Sequence, residues 1–326
     1  IIKMAEEITG PNYEIRRKNF QGVIPIQIII DDTEILSAKE LPKYYVMQPR
    51  MSYLSSLNAK LSEFYSEYFD NSETSLDDYW YSFMSVPMRL DLPTGVLYDT
   101  LVQRDEDDKE GKKNLPFKIT FHYQGFPSKI LQKGMSRHIY PQVLKESSMM
   151  RTGRATSIQD KLHQVKQMEA AVKNQKYDEF WEYNESFCEH KLSELKFFPV
   201  RVVLNRYYHP FMSAGDKSKE VKKHNMMLIQ RPVLVNNRDI TLGEYLTKVL
   251  PKYFHIQTDI TVDEDDEEDE ENKQSQEEID YVEKSVQGTE VIINGLSIDL
   301  DISLMWLVIN LVALDNFLYI TVRLPE

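Results

Sequence analysis

The chain has 326 residues, a formal net charge of −13 and one cysteine, Cys188. This length is sufficient for two or three domains of ordinary size, and the composition is that of a folded globular protein. The negative charge disfavours nucleic acids and anionic membranes as general partners, and a single cysteine excludes both an internal disulfide framework and a multi-cysteine zinc site.

Residues 1–127 predict a set of strands crossed by a main helix. Runs rich in β-branched and aromatic residues indicate the strands, and apolar residues at helical spacing indicate the helix, with Ser52 as its candidate N-cap. The predicted elements are strands at 23–30 and 43–50, a helix at 51–69, a strand at 78–84, a short strand and a short helix within 87–101, and a strand at 115–123.

Residues 128–196 predict a helix-rich middle domain. Ile158, Leu162, Val165, Met168 and Val172 recur at helical spacing, which is typical of an amphipathic helix. Such an apolar stripe usually packs into a core, so we expect these helices to pack against the neighbouring strands.

Residues 197–326 repeat the order of the first 127 residues. The order is strand, strand, helix, strand, strand, helix, strand in both parts, and such self-similarity indicates a duplicated unit. The sequence therefore predicts an α+β fold with two ubiquitin-like β-grasp units that flank the helix-rich middle. The second set has strands at 198–205 and 226–235, a helix at 240–254, strands at 289–294 and 296–301, a helix at 302–311 and a strand at 316–322.

An acidic run, DEDDEEDEE, occupies residues 263–271 of the second unit. Its like charges repel and it has no apolar anchor, so we predict a solvated, disordered insert over about 258–286. The alternative, more specific interpretation is that the acidic run is a docking tail that binds a basic partner.

Motifs of enzymatic chemistry are absent from the sequence. TGRATS at 152–157 lacks the ending of a phosphate-binding loop. Cys188 and His190 are two residues apart and would point to different faces of a helix. The seven histidines show no metal-ligand spacing, and His122 is expected to face outward from its strand. The sequence therefore predicts no catalytic residue, no cofactor and no metal site.

The stretch RHIYPQVLKESSMM at 137–150 predicts a short helix that begins near a proline. Its inward-facing residues would be Ile139, Val143, Leu144 and Met150, and Lys145 would point away from them. Nearby cations make this segment basic within an acidic protein. They are Lys129, Lys133, Arg137, His138, Arg151 and Arg154. Periodicity alone does not select Lys145 over Lys129 or Lys133 as a functional lysine.

Several stretches together resemble the autophagy protein five family, from about residue 21 to 324. The acidic insert departs from the family pattern. The matching stretches are LPKYYVMQPRMSYL (41–54), VPMRLDLPTGVLYD (86–99), LPFKITFHYQGFP (115–127), YDEFW (177–181), FFPVRV (197–202), TLGEYL (241–246) and LDNFLYITV (314–322).

The resemblance implies a function in autophagosome formation, with Lys145 matching the family's acceptor lysine. The ε-amine of Lys145 would form an isopeptide bond with the C-terminal glycine of the ubiquitin-like autophagy protein twelve, delivered by the E2-like autophagy protein ten. The final VRLPE lacks a Gly-Gly tail, so we expect the chain's own ubiquitin-like units to be scaffold.

The resemblance also implies further partners and a location. Autophagy protein sixteen would bind as an amphipathic helix in a groove, and the conjugate would act as an E3-like factor. It would promote transfer of autophagy protein eight from its E2, autophagy protein three, to phosphatidylethanolamine. The chain would be cytoplasmic, recruited peripherally to the preautophagosomal membrane, and not an enzyme itself.

Three alternatives remain open at this stage. A plain adaptor would use its ubiquitin-like units only to bind partners, without conjugation. An acidic chaperone would use 263–271 to hold basic proteins. An enzyme of its own would have an activity that depends on Cys188.

Overall fold

A computed structural model describes most of the chain. The described residues are 11–35, 41–69, 74–102, 114–132, 139–153, 159–188, 195–208, 223–231, 233–234, 240–259, 280–285 and 289–324.

The first ubiquitin-like unit follows an N-terminal helix and contains five strands and two α-helices. Its elements are α1 (Tyr13–Phe20), β1 (Val23–Ile30), β2 (Tyr44–Pro49), α2 (Asn58–Phe64), β3 (Trp80–Phe83), β4 (Val86–Pro87), α3 (Thr94–Leu101) and β5 (Phe117–His122). The sheet order is β2-β1-β5-β3-β4, with β1 and β5 parallel at its centre. Alternate isoleucines of β1 face the core because successive strand residues point to opposite faces.

The main helix of this unit is shorter than the sequence predicts. The segment predicted as one helix at 51–69 is a 3-10 turn at Leu54–Leu57, then α2, then a second 3-10 turn at Ser66–Tyr68. The prediction of Ser52 as the N-cap is wrong, because its hydroxyl donates to the Pro49 carbonyl at 2.8 Å. The predicted apolar face is confirmed in part: Leu54, Leu57, Leu61 and Tyr65 are buried and Tyr68 is half-buried, whereas Phe64 is exposed.

The middle region is helical, as predicted. It consists of α4 (Ile139–Thr152), a 3-10 turn at Gln159–Lys161, α5 (Leu162–Lys173) and α6 (Tyr177–Cys188). Helices α5 and α6 pack against each other, and Val165, Met168, Phe180 and Phe187 join the core of the first unit.

The second unit repeats the topology of the first. Its elements are β6 (Phe197–Phe198), β7 (Val200–Tyr208), β8 (Lys223–Ile229), β9 (Val233–Leu234), α7 (Leu242–Val249), β10 (Phe254–Asp259), β11 (Asp280–Ser285), β12 (Glu290–Ile293), β13 (Leu296–Ser297), α8 (Leu304–Asn310) and β14 (Leu318–Arg323). The order of the main sheet is β8-β7-β14-β12-β13, and β7 and β14 are parallel at its centre. The predicted α+β fold, with two ubiquitin-like units and a helical middle, is confirmed.

The ends of the acidic insert differ from the prediction of disorder over 258–286. Strands β10 and β11 pair in antiparallel fashion, with Asp259 opposite Asp280, so 258–259 and 280–285 are strand residues. The run 263–271 lies outside the described residues, and the two interpretations of its role stay predictions.

The two units and the middle helices share buried contacts. One apolar cluster contains residues of the first unit, of α4 to α6, and also Val203, Phe317 and Tyr319 of the second unit. Helix α1 adds another link, because Arg16 donates to the Ile309 carbonyl at 2.8 and 2.6 Å and lies 4.3 Å over the Trp181 ring. The domain boundaries at 127/128 and 196/197 stay predictions.

Candidate functional site

Lys145 lies on the solvent-facing side of α4. Its side chain is exposed, whereas the preceding Val143 and Leu144 are buried. The predicted inward face is confirmed at Ile139, Val143 and Leu144, and Met150 is half-buried. The 3.6-residue period of the helix thus brings the amine of Lys145 to solvent while its neighbours hold the helix on the core.

Glu146 connects α4 to the sheet of the second unit. Its carboxylate accepts from the Arg201 guanidinium at 2.7 Å and from the Gln230 amide at 2.6 Å. Arg201 is itself buried on β7 and donates to Gln230 Oε1 at 2.8 Å. The hydrogen bonds among Glu146, Arg201 and Gln230 include an ion pair. They fix the position, relative to β7, of the helical turn that contains Lys145.

The C-terminal end of α4 is held by Arg151. This side chain is buried and donates to the Asn316 carbonyl at 3.1 Å, while its own carbonyl accepts from the Lys196 amide at 2.8 Å. Asn316 in turn exchanges two side-chain amide hydrogen bonds with Asn184 of α6, at 3.0 and 2.9 Å. Arg151 therefore points into the protein and does not contribute to the basic surface predicted from sequence.

The other members of the predicted basic neighbourhood are only partly within the described chain. Lys129 is exposed. Lys133, Arg137, His138 and Arg154 lie outside the described residues. The predicted basic surface around Lys145, within an otherwise acidic protein, therefore stays a prediction.

A buried carboxylate, Asp315, joins the first and second units beneath α4. It accepts from the hydroxyls of Tyr53 at 2.5 Å and Tyr319 at 2.8 Å, and from the Phe317 amide at 3.0 Å. Burial raises the pKa of the Asp315 carboxyl, and Arg201 together with the tyrosine hydroxyls acts in the opposite direction. All of these donors are protein groups, so Asp315 serves as a structural junction.

Cys188 faces a cavity of about 130 Å³ between α1, α6 and α8. Burial raises the pKa of the Cys188 thiol, although Arg151 and Arg16 lower it. A raised thiol pKa makes a poor nucleophile at neutral pH. His190 lies outside the described residues, so the predicted separation of Cys188 and His190 stays a prediction.

His122 is on the outer face of its strand, as expected, but it is buried there. The indole of Trp80 stacks on its ring at 3.7 Å, and Glu34 and Asp31 approach its Nδ1 atom. The predicted outward orientation is confirmed, and neighbouring side chains cover the ring on that face. Strand alternation predicted on which side of the sheet His122 lies. Its burial there comes from Trp80 on the neighbouring strand and from Asp31 and Glu34 in the β1–β2 connection.

The sequence pattern did not predict the polar junction around Glu146, Arg201 and Asp315. One signal was available, because Arg201 interrupts the apolar run FPVRVVL and Asp315 precedes the apolar run FLYITV. Charged residues within buried strands are rarely left unpaired. The identity of their partners, however, depends on contacts between units far apart in the chain.

Comparisons with known proteins agree with the duplicated topology. Family models described as "Autophagy protein ATG5, UblA domain" and "Autophagy protein ATG5, UblB domain" match residues 19–123 and 197–322. The Drosophila melanogaster "Autophagy protein 5" is 32% identical over 197 residues, which cover 58% of this chain and 69% of the relative. The chain belongs to the autophagy protein 5 family. Membership gives it a role in autophagy.

Other relatives and a solved structure extend the comparison. The "Autophagy protein 5" of Aspergillus terreus is 30% identical over 159 residues, covering 44% of this chain and 50% of that protein. A crystal structure of Kluyveromyces marxianus Atg5 has a TM-score of 0.65 at 15% identity, covering 95% of this chain and 99% of that one. At this identity the likeness concerns the fold alone. The chain thus shares its fold over nearly its whole length with that structure.

Proposed function

We propose that Lys145 of this autophagy protein 5 family member is the acceptor for the C-terminal glycine of the ubiquitin-like autophagy protein twelve. The observation that carries the proposal is an exposed lysine on a helix that Glu146 and Arg151, both on its C-terminal side, anchor to the second unit. A fixed helix presents the amine to a large enzyme complex without the entropy cost of ordering a loop.

The proposed reaction is an acyl transfer. The neutral ε-amine of Lys145 attacks the thioester carbonyl between the modifier and the E2-like autophagy protein ten. The carbon–sulfur bond breaks, the amide bond forms, the amine loses a proton to solvent, and the E2-like protein regains its thiol. Lys145 is consumed as a substrate, so in this proposal the chain is not an enzyme.

The conjugate is proposed to work as an E3-like factor with autophagy protein sixteen. It promotes transfer of autophagy protein eight from its E2, autophagy protein three, to phosphatidylethanolamine. Among the described residues, no helix combines the length and the apolarity needed to cross a bilayer. The proposal assigns the complex a cytoplasmic location with peripheral recruitment to the preautophagosomal membrane.

Reconstitution of conjugation with Lys145→Arg tests the acceptor. Arginine keeps the charge and most of the side-chain stem, but its guanidinium stays protonated and cannot supply a neutral amine. We expect the variant to form no conjugate while its melting temperature stays within about 1 °C of the wild type, since exposed substitutions change stability little.

Lys129→Arg is the matched control, because Lys129 is an exposed lysine of the preceding segment. It should give a full yield of the conjugate. A full yield with Lys145→Arg would instead assign the acceptor role to another lysine.

The binding of autophagy protein sixteen is proposed to bridge both ubiquitin-like units. The support is that the two sheets are held together by buried side chains, so a partner helix that spans both units meets surfaces in a fixed relative position. A peptide of its amphipathic helix should bind the whole chain at least tenfold more tightly than either isolated unit, measured by calorimetry. Equal affinity for one folded unit would contradict the bridging arrangement.

A further inference from the structure

Three potential metal ligands converge at one end of the first sheet. Strands β1 and β5 run parallel, with Ile30 opposite Phe121, so the residues that follow both strands meet. His122 Nδ1 lies 2.9 Å from Glu34 Oε1 and 3.4 Å from Asp31 Oδ2, and all three ligand atoms lie within 4.8 Å of one another.

The second oxygen of each carboxylate is already held by the protein. Glu34 Oε2 accepts from the backbone amides of Tyr123 at 2.8 Å and Gln124 at 3.0 Å. Asp31 Oδ1 accepts from the amide of Thr33 at 2.9 Å and from its hydroxyl at 2.6 Å. One oxygen of each carboxylate is thus anchored and the other is directed at the imidazole, as in the outer shells of protein metal sites.

The imidazole is oriented in the same way. His122 Nε2 lies 2.8 Å from the Ser82 hydroxyl, and the ring is stacked on Trp80 with an interplanar angle of 8°. When Nε2 carries the proton and donates it to Ser82 Oγ, the lone pair of Nδ1 faces the two carboxylates. The side chains of His122, Glu34 and Asp31 are 7%, 12% and 29% exposed, so an ion would enter past Asp31.

We propose that Asp31 Oδ2, Glu34 Oε1 and His122 Nδ1 bind a divalent transition-metal ion such as zinc, with water as the fourth ligand. Two carboxylates and a neutral imidazole match the charge of such an ion. Tetrahedral zinc with ligands at its usual bond lengths needs ligand atoms about 3.3 Å apart. The pair of Nδ1 and Asp31 Oδ2, at 3.4 Å, meets this spacing; the pair of Nδ1 and Glu34 Oε1, at 2.9 Å, is slightly shorter, and the two carboxylate oxygens lie within 4.8 Å of each other. The sequence did not indicate this site because His122 is 88 residues from Glu34, and only the pairing of β1 and β5 brings them together.

Zinc titration of the full chain tests the site. The protein is stripped with a chelator and titrated with zinc against a chromophoric zinc indicator. We expect Asp31→Asn and Glu34→Gln each to weaken the tightest zinc binding at least tenfold, because each removes a charged ligand and keeps an oxygen for the anchoring amides.

Asp32→Asn is the matched control. It makes the same charge change at an exposed neighbouring carboxylate outside the cluster, and it should bind zinc as the wild type does. The melting temperature without metal checks that each variant is folded, and zinc should raise it in the wild type and the control only. Absence of tight zinc binding, or equal affinity in wild type and Asp31→Asn, would overturn the proposal and leave the cluster as a structural contact between the histidine and the two carboxylates.

Discussion

Lys145 and Glu146 are neighbours on α4 whose side chains differ in their contacts. The lysine is exposed, and the glutamate accepts from Arg201 and Gln230 of the second unit. Helical periodicity predicted the exposure of Lys145, because α4 has a clear apolar face. It did not predict the partner of Glu146, because Arg201 is 55 residues away and only the packing of separate units brings them together.

We expect Glu146→Ala to lower the free energy of unfolding by about 1–2 kcal/mol, since hydrogen bonds to charged groups have this order of strength. The loss also leaves the buried Arg201 guanidinium without its carboxylate partner. Urea denaturation at pH 7 measures the effect. Glu182→Ala, at an exposed glutamate of α6, is the control and should change stability by less than about 0.5 kcal/mol. Equal losses would show that the Arg201 contact contributes nothing.

Cys188 offers a measurement of pH dependence at a single residue. Burial raises the pKa of its thiol, so the thiolate forms at higher pH in the folded chain than in the unfolded chain. The rate of alkylation by iodoacetamide should therefore rise with pH along a curve displaced to higher pH relative to the same chain in urea. A folded-state curve that lies at or below the unfolded one would contradict the burial of this thiol.

The repeated order of strands and helices could be predicted from the sequence, whereas the residues at which the helices begin and end could not. The two sheets have the same strand order because the same apolar pattern recurs in both halves of the chain. The segment 51–69 forms three short helices instead of one. The spacing of its apolar residues indicates a helical face, but the ends of each helix depend also on the side chains packed around it. The burial of His122 was also not predictable from the local sequence, since Trp80 and Glu34, which cover it, come from other parts of the chain.

The N-terminus of α7 has a local sequence signal, TLGE at 241–244, which predicts a capping box. The Thr241 hydroxyl accepts from the Glu244 amide at 3.1 Å, and the Glu244 carboxylate reaches back to the Thr241 amide. We expect Thr241→Ala to destabilise the chain by about 1 kcal/mol, measured by urea denaturation. Thr247→Ala, within the same helix, removes a hydroxyl without touching the cap and should be neutral or slightly stabilising. A neutral Thr241→Ala would show that the capping box is dispensable.

At the scale of the whole molecule, α3 of the first unit is fastened to the sheet of the second. Arg323 on β14 donates to the carbonyls of Asp99 at 2.6 Å and Val102 at 2.5 Å, and Asn205 on β7 donates to the Thr100 carbonyl at 2.5 Å. These donors satisfy carbonyls at the end of α3 that have no partner within the helix. The first unit thus completes its hydrogen bonding only when the second unit is in place.

We expect the chain to unfold in one cooperative transition. Buried contacts join all three regions, so no region can unfold without exposing apolar surface of another. Far-UV circular dichroism and tryptophan fluorescence should give coincident melting curves, since Trp80, Trp181 and Trp306 report on the first unit, the middle helices and the second unit. Two transitions separated by more than about 5 °C would mean that the units fold independently.

The central position of β14 has a consequence for biosynthesis. This strand lies between β12 and β7, and it also carries Arg323, which contacts α3 of the first unit. Residues 318–323 leave the ribosome after every other described strand and helix. Until then the second sheet lacks its middle strand, and the Asp99 and Val102 carbonyls at the end of α3 lack the Arg323 donor. The second sheet and its Arg323 contact with α3 therefore form only once this strand is available.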